Sequence, residues 1–175
     1  MPTCQRRILL NDIDAAGVAF SARIIAIAHE SFEQACAASG AALEQLIAAR
    51  VGLPLVHVEA DFHAPMRHGD LIDIDVHCAR IGVGSVTIAI SLRRGSKPTA
   101  TVRQIHACVD MDALVSRPLT DELRAVFAAW GPGRTGGAAD SGVVPLAGVT
   151  GASAIPPGGQ APPSGNSAEK PDKTA

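Results

Sequence analysis

Aromatic residues are scarce in this chain. Tyrosine is absent, and Phe and Trp together make up 3% of 175 residues, too few for a surface that stacks on nucleic-acid bases. An excess of charge is missing too. A formal net charge of −2 offers no broad cationic face to a phosphate backbone, so no nucleic-acid partner is expected. No apolar run approaches the ~18 residues that a membrane-crossing helix needs. The apolar stretch Ile8-Leu9-Leu10 near the N-terminus is too short for a signal-peptide core. The expectation is therefore a cytoplasmic protein with no membrane partner. The cysteines, at 4, 36, 78 and 108, form no Cys-x-x-Cys pair. That argues against a zinc clamp and for free thiols acting as small core residues.

What is present is ordinary globular composition, 47% hydrophobic and 18% charged. It changes after Trp130. Residues 131–175 hold 10 Gly and 7 Pro and no aromatic residue, and they show neither helical nor strand periodicity. Such a stretch buries too little apolar surface to offset its ordering entropy, so it is expected to be a disordered tail. Residues 1–130 are the expected domain.

Within that domain, residues 5–11 read as a strand and Asp12 to Gly17 as a turn. Ser21 is the expected N-cap of a largely apolar helix over 22–39, which Gly40 ends. A shorter helix is predicted over 43–50. Strands follow over 55–63, 71–80 and 85–93, each with apolar residues at every second position, and over 99–110, where the alternation is less clean. Pro118-Leu119-Thr120 starts a last helix that runs to about residue 129. The order of elements fits an α+β fold, a curled antiparallel sheet of about five strands around one long buried helix. The sheet's uncovered edge calls for a partner copy.

Two clusters could carry chemistry. In Asp12-Ile13-Asp14-Ala15-Ala16-Gly17 two carboxylates precede the long helix. A calcium loop starting at Asp12 would need Asp or Asn at 16 and Glu at 23; Ala16 and Arg23 stand there, so the pattern fails. The acids either solvate a turn or hold a carboxylate beside a helix N-terminus. There, outward N–H groups can bind a carbonyl oxygen that is gaining charge while the carboxylate attacks the carbonyl carbon or activates water. A thioester suits so weak a nucleophile because its thiolate leaves easily. In the second cluster His57, Glu59, Asp61 and His63 alternate along one strand. This reads as a solvated or interface face, with one member lining a pocket, and not as a metal site. His29 on the helix is a core, interface or substrate-contacting residue. There is no Gly-x-Ser-x-Gly, phosphate loop or dinucleotide fingerprint.

These residues resemble the hotdog-fold thioesterases of the 4-hydroxybenzoyl-CoA thioesterase superfamily. The resemblance is carried by Asp12-Ile-Asp14-Ala-Ala-Gly17-Val-Ala-Phe20, by His29-Glu30-Ser-Phe32-Glu33, and by Leu53-Pro-Leu-Val-His57 with Asp61-Phe62-His-Ala-Pro65. It continues through Gly69-Asp70 to Gln104-Ile-His106-Ala-Cys-Val109. The middle string is most similar to the 1,4-dihydroxy-2-naphthoyl-CoA members. The resemblance implies a hydrolase of aromatic acyl-CoA that needs no cofactor and no metal. It makes Asp14 the catalytic carboxylate and the backbone N–H near Ser21 the oxyanion donor, with Gly17, His29 and His57 as substrate-binding candidates. It implies a homodimer as the minimal unit and a homotetramer as the assembly. Related Tol–Pal-associated thioesterases carry His where Ser21 stands, which favours an aryl over a short-chain acyl group. The 4-hydroxybenzoyl enzyme holds CoA phosphates with basic residues at the turn that is Gly82-Val83-Gly84 here. Arg67, Arg80, Arg93, Arg94 and Lys97 are the candidate replacements. The alternatives are a short- or medium-chain acyl-CoA thioesterase and an acyl-CoA-binding domain without turnover. An enoyl-CoA hydratase would need a His about five residues after Asp14, and the chain has none there.

Overall fold

The computed structural model describes residues 2–131. In chain order the elements are β1 (Thr3–Arg7), a 3-10 turn (Leu10–Asp12), α1 (Ser21–Ala38), α2 (Leu43–Ala48), β2 (Val51–Gly52), β3 (Leu55–Phe62), β4 (Leu71–Ile81), β5 (Ser85–Arg94), β6 (Lys97–Ala107), β7 (Val109–Asp110), β8 (Val115–Ser116) and α3 (Asp121–Ala129). The tail expected over 131–175 lies outside the described residues beyond Gly131.

Five antiparallel strands form one sheet in the order β1-β4-β5-β6-β3. The period-two pattern predicts its core face well. Ile72, Ile74 and Val76 of β4 and Val86, Ile88, Ile90 and Leu92 of β5 are each at most 1% exposed. Asp73, Asp75, Ala89 and Ser91 fill the other face. The helix α1 lays Ile24, Ile27, Ala28, Phe32, Ala35 and Cys36 against the inner face, an i, i+3, i+4 stripe. Each large side chain so buried contributes about 1.5–3 kcal/mol. Emptying the Phe32 site by Phe32→Ala would cost about 3–5 kcal/mol. The short helix α3 closes one end of the core with Leu123, Phe127 and the following Trp130. Trp130 Nε1 donates to Ser39 Oγ at 2.9 Å. Thr120 Oγ1 accepts from Leu123 N–H and caps α3 as the sequence suggested.

Four boundaries differ from the sequence reading. The first strand ends at Arg7 because the Asp12 side chain draws the next residues into a turn: its Oδ2 accepts the Leu9 N–H at 2.9 Å. Phe20, not Ser21, is the N-cap of α1. Its backbone is extended, and its carbonyl accepts from Ile24 N–H at 3.1 Å, so Ser21 is the first helical residue. The second helix stops at Ala48, and Arg50 takes φ 59° to enter β2. The predicted last strand breaks at Cys108. Val109–Asp110 then joins β2 and β8 in a separate three-stranded sheet, whose two-residue strands are too short for any periodicity to reveal. Gly40, with φ 79°, ends α1 as expected.

The edge strand β3 stands apart. Its inner residues Val58, Ala60 and Phe62 lie opposite Gln104, Val102 and Ala100, yet Val58 and Phe62 are 36% and 49% exposed. The core stripe of α1 does not reach them, and among the described residues one side of the strand has no hydrogen-bonded neighbour.

Candidate active site

The segment between β1 and α1 doubles back on itself. Asp14 N–H donates to Val18 O at 2.9 Å, Ile13 bridges Ala19, and Phe20 N–H donates to Asp12 O at 2.9 Å. This miniature hairpin delivers the chain directly into α1. At its tip Gly17, with φ 75°, donates its N–H to Asp14 O at 3.0 Å. A left-handed residue is needed there, and glycine adopts that conformation without steric cost.

The two acids have different surroundings. Asp14 is exposed. Its Oδ1 accepts from Ala16 N–H at 2.8 Å and Val18 N–H at 3.4 Å, while Oδ2 has no partner among the described residues. One oxygen orients the carboxylate and the other is left to react. Asp12 is fully buried. It accepts from Leu9 N–H, from Arg6 Nη2 at 3.2 Å and from Arg23 Nε at 3.0 Å. Burial by itself would raise its pKa. The Leu9 N–H and the two guanidinium groups outweigh that and hold it below the usual carboxylate range. Glu30 completes the network, accepting from Arg6 Nη1 at 2.5 Å and lying 3.5 Å from Arg23.

The first turn of α1 is open. Phe20 offers no side-chain cap, and the turn carries no acidic residue. Among the described residues the Ser21 N–H has no acceptor. A helix end in this state presents unsatisfied N–H groups and partial positive charge to whatever lies in front of it. Beside it is an open cleft of about 260 Å³ with Val18, Ser21, Ile24, Phe62, His63 and Met66 on its walls, a mostly apolar space of the size of a small aromatic group.

The hairpin holds Asp14 and Gly17 together at its tip, and Ser21 follows at its base, on the wall of the cleft, which Asp14 does not line. Within one chain the hairpin does not bring His29 or His57 to them. His29 lies two turns along α1, 3.4 Å from Glu33 and stacked on His106. His57 lies on β3 opposite Ile105, on the face turned away from the core, with Nε2 2.9 Å from Glu59 Oε1. Glu59 in turn lies 3.9 Å from Arg103, and His63 Nε2 contacts Thr101 Oγ1 at 3.0 Å. Of the alternating groups of this segment, His57 is thus spent on Glu59 of its own strand, and Glu59 and His63 on neighbours in β6. All four cysteines are free; Cys36, Cys78 and Cys108 are buried, and burial, then Glu33, pushes Cys36 up to about 12.

Sequence reasoning did not foresee the Asp12–Arg6–Arg23–Glu30 network. Arg23 in a first helical turn, where a cation opposes the helix dipole, is the one feature that pointed to a buried acid nearby.

Relatives bear on this geometry. The family model of the thioesterase-like superfamily matches residues 8–130. The 1,4-dihydroxy-2-naphthoyl-CoA hydrolase of Synechococcus elongatus is 34% identical over 122 residues, covering 69% of this chain and 90% of the relative. That of Nostoc punctiforme is 31% identical over 122 residues, covering 69% and 82%. Among solved structures, the 1,4-dihydroxy-2-naphthoyl-CoA thioesterase from Synechocystis superposes with a TM-score of 0.68 at 22% identity over 72% of this chain and 94% of its own. A gentisyl-coenzyme A thioesterase gives 0.65 at 20% identity over 73% and 99%. These likenesses establish the hotdog arrangement for the sheet and its helix, and the chain belongs to the thioesterase-like superfamily.

Proposed function

We propose that the protein hydrolyses the thioester of an aromatic acyl-CoA, of the 1,4-dihydroxy-2-naphthoyl or 4-hydroxybenzoyl type, to the free acid and CoA. The observation that supports this is a carboxylate oriented through one oxygen at the tip of the short hairpin that leads into an uncapped helix N-terminus beside an apolar cleft. The thioester carbonyl oxygen takes the Ser21 N–H. Asp14 Oδ2 attacks the carbonyl carbon, the C–S bond breaks, and CoA departs as thiolate; water then hydrolyses the mixed anhydride. In the variant of this scheme Asp14 instead takes a proton from the water that attacks. Either way the oxyanion forms against preset N–H groups, and one water is consumed per thiol released.

The relatives support the substrate class, since those named above act on naphthoyl-CoA and gentisyl-CoA thioesters. The cleft supports an aryl group through Phe62, Ile24 and Met66. For the CoA phosphates, Arg93 and Arg94 are already paired with Asp75 and Asp70. Of the remaining candidates, Arg67, Arg80 and Lys97 are exposed and make no ion pair among the described residues, which leaves them free to meet the phosphates. The exposed edge and inner face of β3 support a homodimer in which a second copy covers Val58 and Phe62, bringing His57 and His29 to substrate across the interface. Two such dimers make the homotetramer. Among the described residues no helix is long and apolar enough to cross a membrane, and four free thiols accord with a reducing cytoplasm.

The test is thiol release from dihydroxynaphthoyl-, 4-hydroxybenzoyl-, benzoyl- and medium-chain acyl-CoA. Turnover of the aryl esters that Asp14→Asn abolishes is expected. Undiminished turnover in that variant, or a preference for the aliphatic esters, would overturn the reading.

A further inference from the structure

We infer that Asp12, clamped by Arg6 and Arg23, is the positioning residue that fixes the Asp14 turn against the first turn of α1. The inference rests on Asp14 being the catalytic carboxylate, and it concerns how that carboxylate is aimed. Each half of the proposed site is anchored to the same buried group. On one side Asp12 is joined to Asp14 by a single extended residue, Ile13 (φ −98°, ψ 139°). On the other, its carboxylate takes Nε and Nη2 of Arg23 at 3.0 and 2.9 Å, and Arg23 is the third residue of α1. The Asp12 backbone carbonyl holds the Phe20 N–H at 2.9 Å, one residue before the proposed oxyanion donor. Arg6 ties the assembly to β1, and Glu30 braces both guanidinium groups from two turns further along α1.

The charges also matter. Two guanidinium groups face two carboxylates, so the network is neutral as built. Converting Asp12 to Asn leaves Arg23 with one fewer anion at the mouth of a helix whose dipole already repels it. The loss of Asp12 thus loosens the turn and leaves both guanidinium groups to Glu30 alone. Asp12 touches no substrate in this scheme and acts only through Asp14 and α1.

The experiment uses the full chain and dihydroxynaphthoyl-CoA. Steady-state kcat and KM are measured for Asp12→Asn, Arg23→Gln, Arg23→Lys and Asp14→Asn, alongside melting temperatures and amide hydrogen exchange. Asp12→Asn and Arg23→Gln should lower kcat by about tenfold to a hundredfold with KM little changed, as misplacement of a reacting group does. Arg23→Lys, which keeps the charge, should recover most of that loss. The amides of Ala16 and Val18, which orient Asp14, should exchange about tenfold faster in both variants while those of β5 do not. Wild-type kcat in Arg23→Gln with an inactive Asp14→Asn would sink the positioning role and leave the function standing. Full activity in Asp14→Asn would sink the function itself. A kcat loss that Arg23→Lys shares, or that follows melting temperature across the set, would show Asp12 to be structural only. Should Asp12→Asn fail to fold, Arg23→Gln decides, since its side chain is a third exposed. Should no thioester be hydrolysed, the exchange rates at Ala16 and Val18 still decide whether Asp12 sets the turn.

Discussion

The ring of His106 lies flat on that of Phe32, their centroids 4.0 Å apart and their planes 17° from parallel. His29 lies beside both rings, its centroid 5.6 Å from His106 and 6.0 Å from Phe32. His106 is fully buried, with Nδ1 3.0 Å from the Leu53 carbonyl and Nε2 3.3 Å from the Gln104 side chain. A neutral ring that donates through Nδ1 wants a donor at Nε2. Turning the Gln104 amide would supply one from its Nε2, which is otherwise buried without a partner. Burial pulls the His106 pKa down to about 4; the Leu53 contact opposes this and His29 adds to it. The folded state thus refuses a proton that the unfolded chain accepts near 6.5. Stability is complete above that value and falls with pH through the window down to about 4, by roughly 3 kcal/mol for this one group. His77, also lowered by burial, acts in the same direction. Urea midpoints measured between pH 7 and 4.5 should decline, and His106→Gln should flatten the decline. An equal slope in the variant would exclude His106 as its source.

The exposed inner residues of β3 make the assembly testable without substrate. A charge placed at Val58 sits on the face and edge that a second copy is proposed to cover. Val58→Lys should leave the monomer folded, since the position is already more than a third exposed, and should reduce the mass seen in sedimentation to that of one chain. If His57 and His29 reach substrate only across the interface, thiol release should fall by at least about tenfold in the same variant. A Val58→Lys protein that keeps its wild-type mass would place the interface elsewhere.

Gly17 and Gly40 both have φ near 75–79°, and an added Cβ would meet nothing within 4 Å at either. An alanine therefore brings strain without a clash, about 1–2 kcal/mol at each position. The two differ in what the strain disturbs. Gly40→Ala alters the far end of α1 and should lower the melting temperature only. Gly17→Ala should lower it by a similar amount and also reduce kcat, because the turn it distorts sets the direction of the Asp14 carboxylate. Gly17→Asn should recover part of both losses, as asparagine tolerates the left-handed region. Parallel kinetics for the two alanine variants would detach the turn from catalysis.

How much of this was legible in the sequence depended on the range of the forces involved. Val86, Ile88, Ile90 and Leu92 announce their strand because alternation is local. So does the α1 stripe ending at Gly40. The Asp12–Gly17 turn was readable because it is built from its own six residues. The Asp12 network was not, because Arg6, Arg23 and Glu30 converge on it from β1 and two turns of α1, and nothing in their spacing announces a shared partner. Val58 and Phe62 read as core residues by pattern. Their exposure in the single chain reflects the reach of α1 across the sheet, which spacing does not encode. His106 and Gln104 occupy core positions in a strand whose alternation they blur, and only the packing shows that both are buried.

The sharpest check on the oxyanion site is a substitution that removes one hydrogen. Ser21 is the first residue of α1, a position where proline is well tolerated because its N–H has no intrahelical acceptor and its φ suits the helix. Phe20 before it already has φ −64° and ψ 134°, the extended conformation that a residue preceding proline prefers. Ser21→Pro should therefore fold with little change in melting temperature, yet it deletes the backbone donor proposed to bind the thioester oxygen. Loss of a single such donor typically costs about 10²- to 10³-fold in kcat, and the loss should appear with KM largely preserved, since the interaction strengthens only as the oxyanion forms. Ser21→Ala, which keeps the N–H and loses the hydroxyl, separates the two groups: a comparable loss there would assign the role to Oγ, and wild-type turnover in Ser21→Pro would move the oxyanion site away from this helix end.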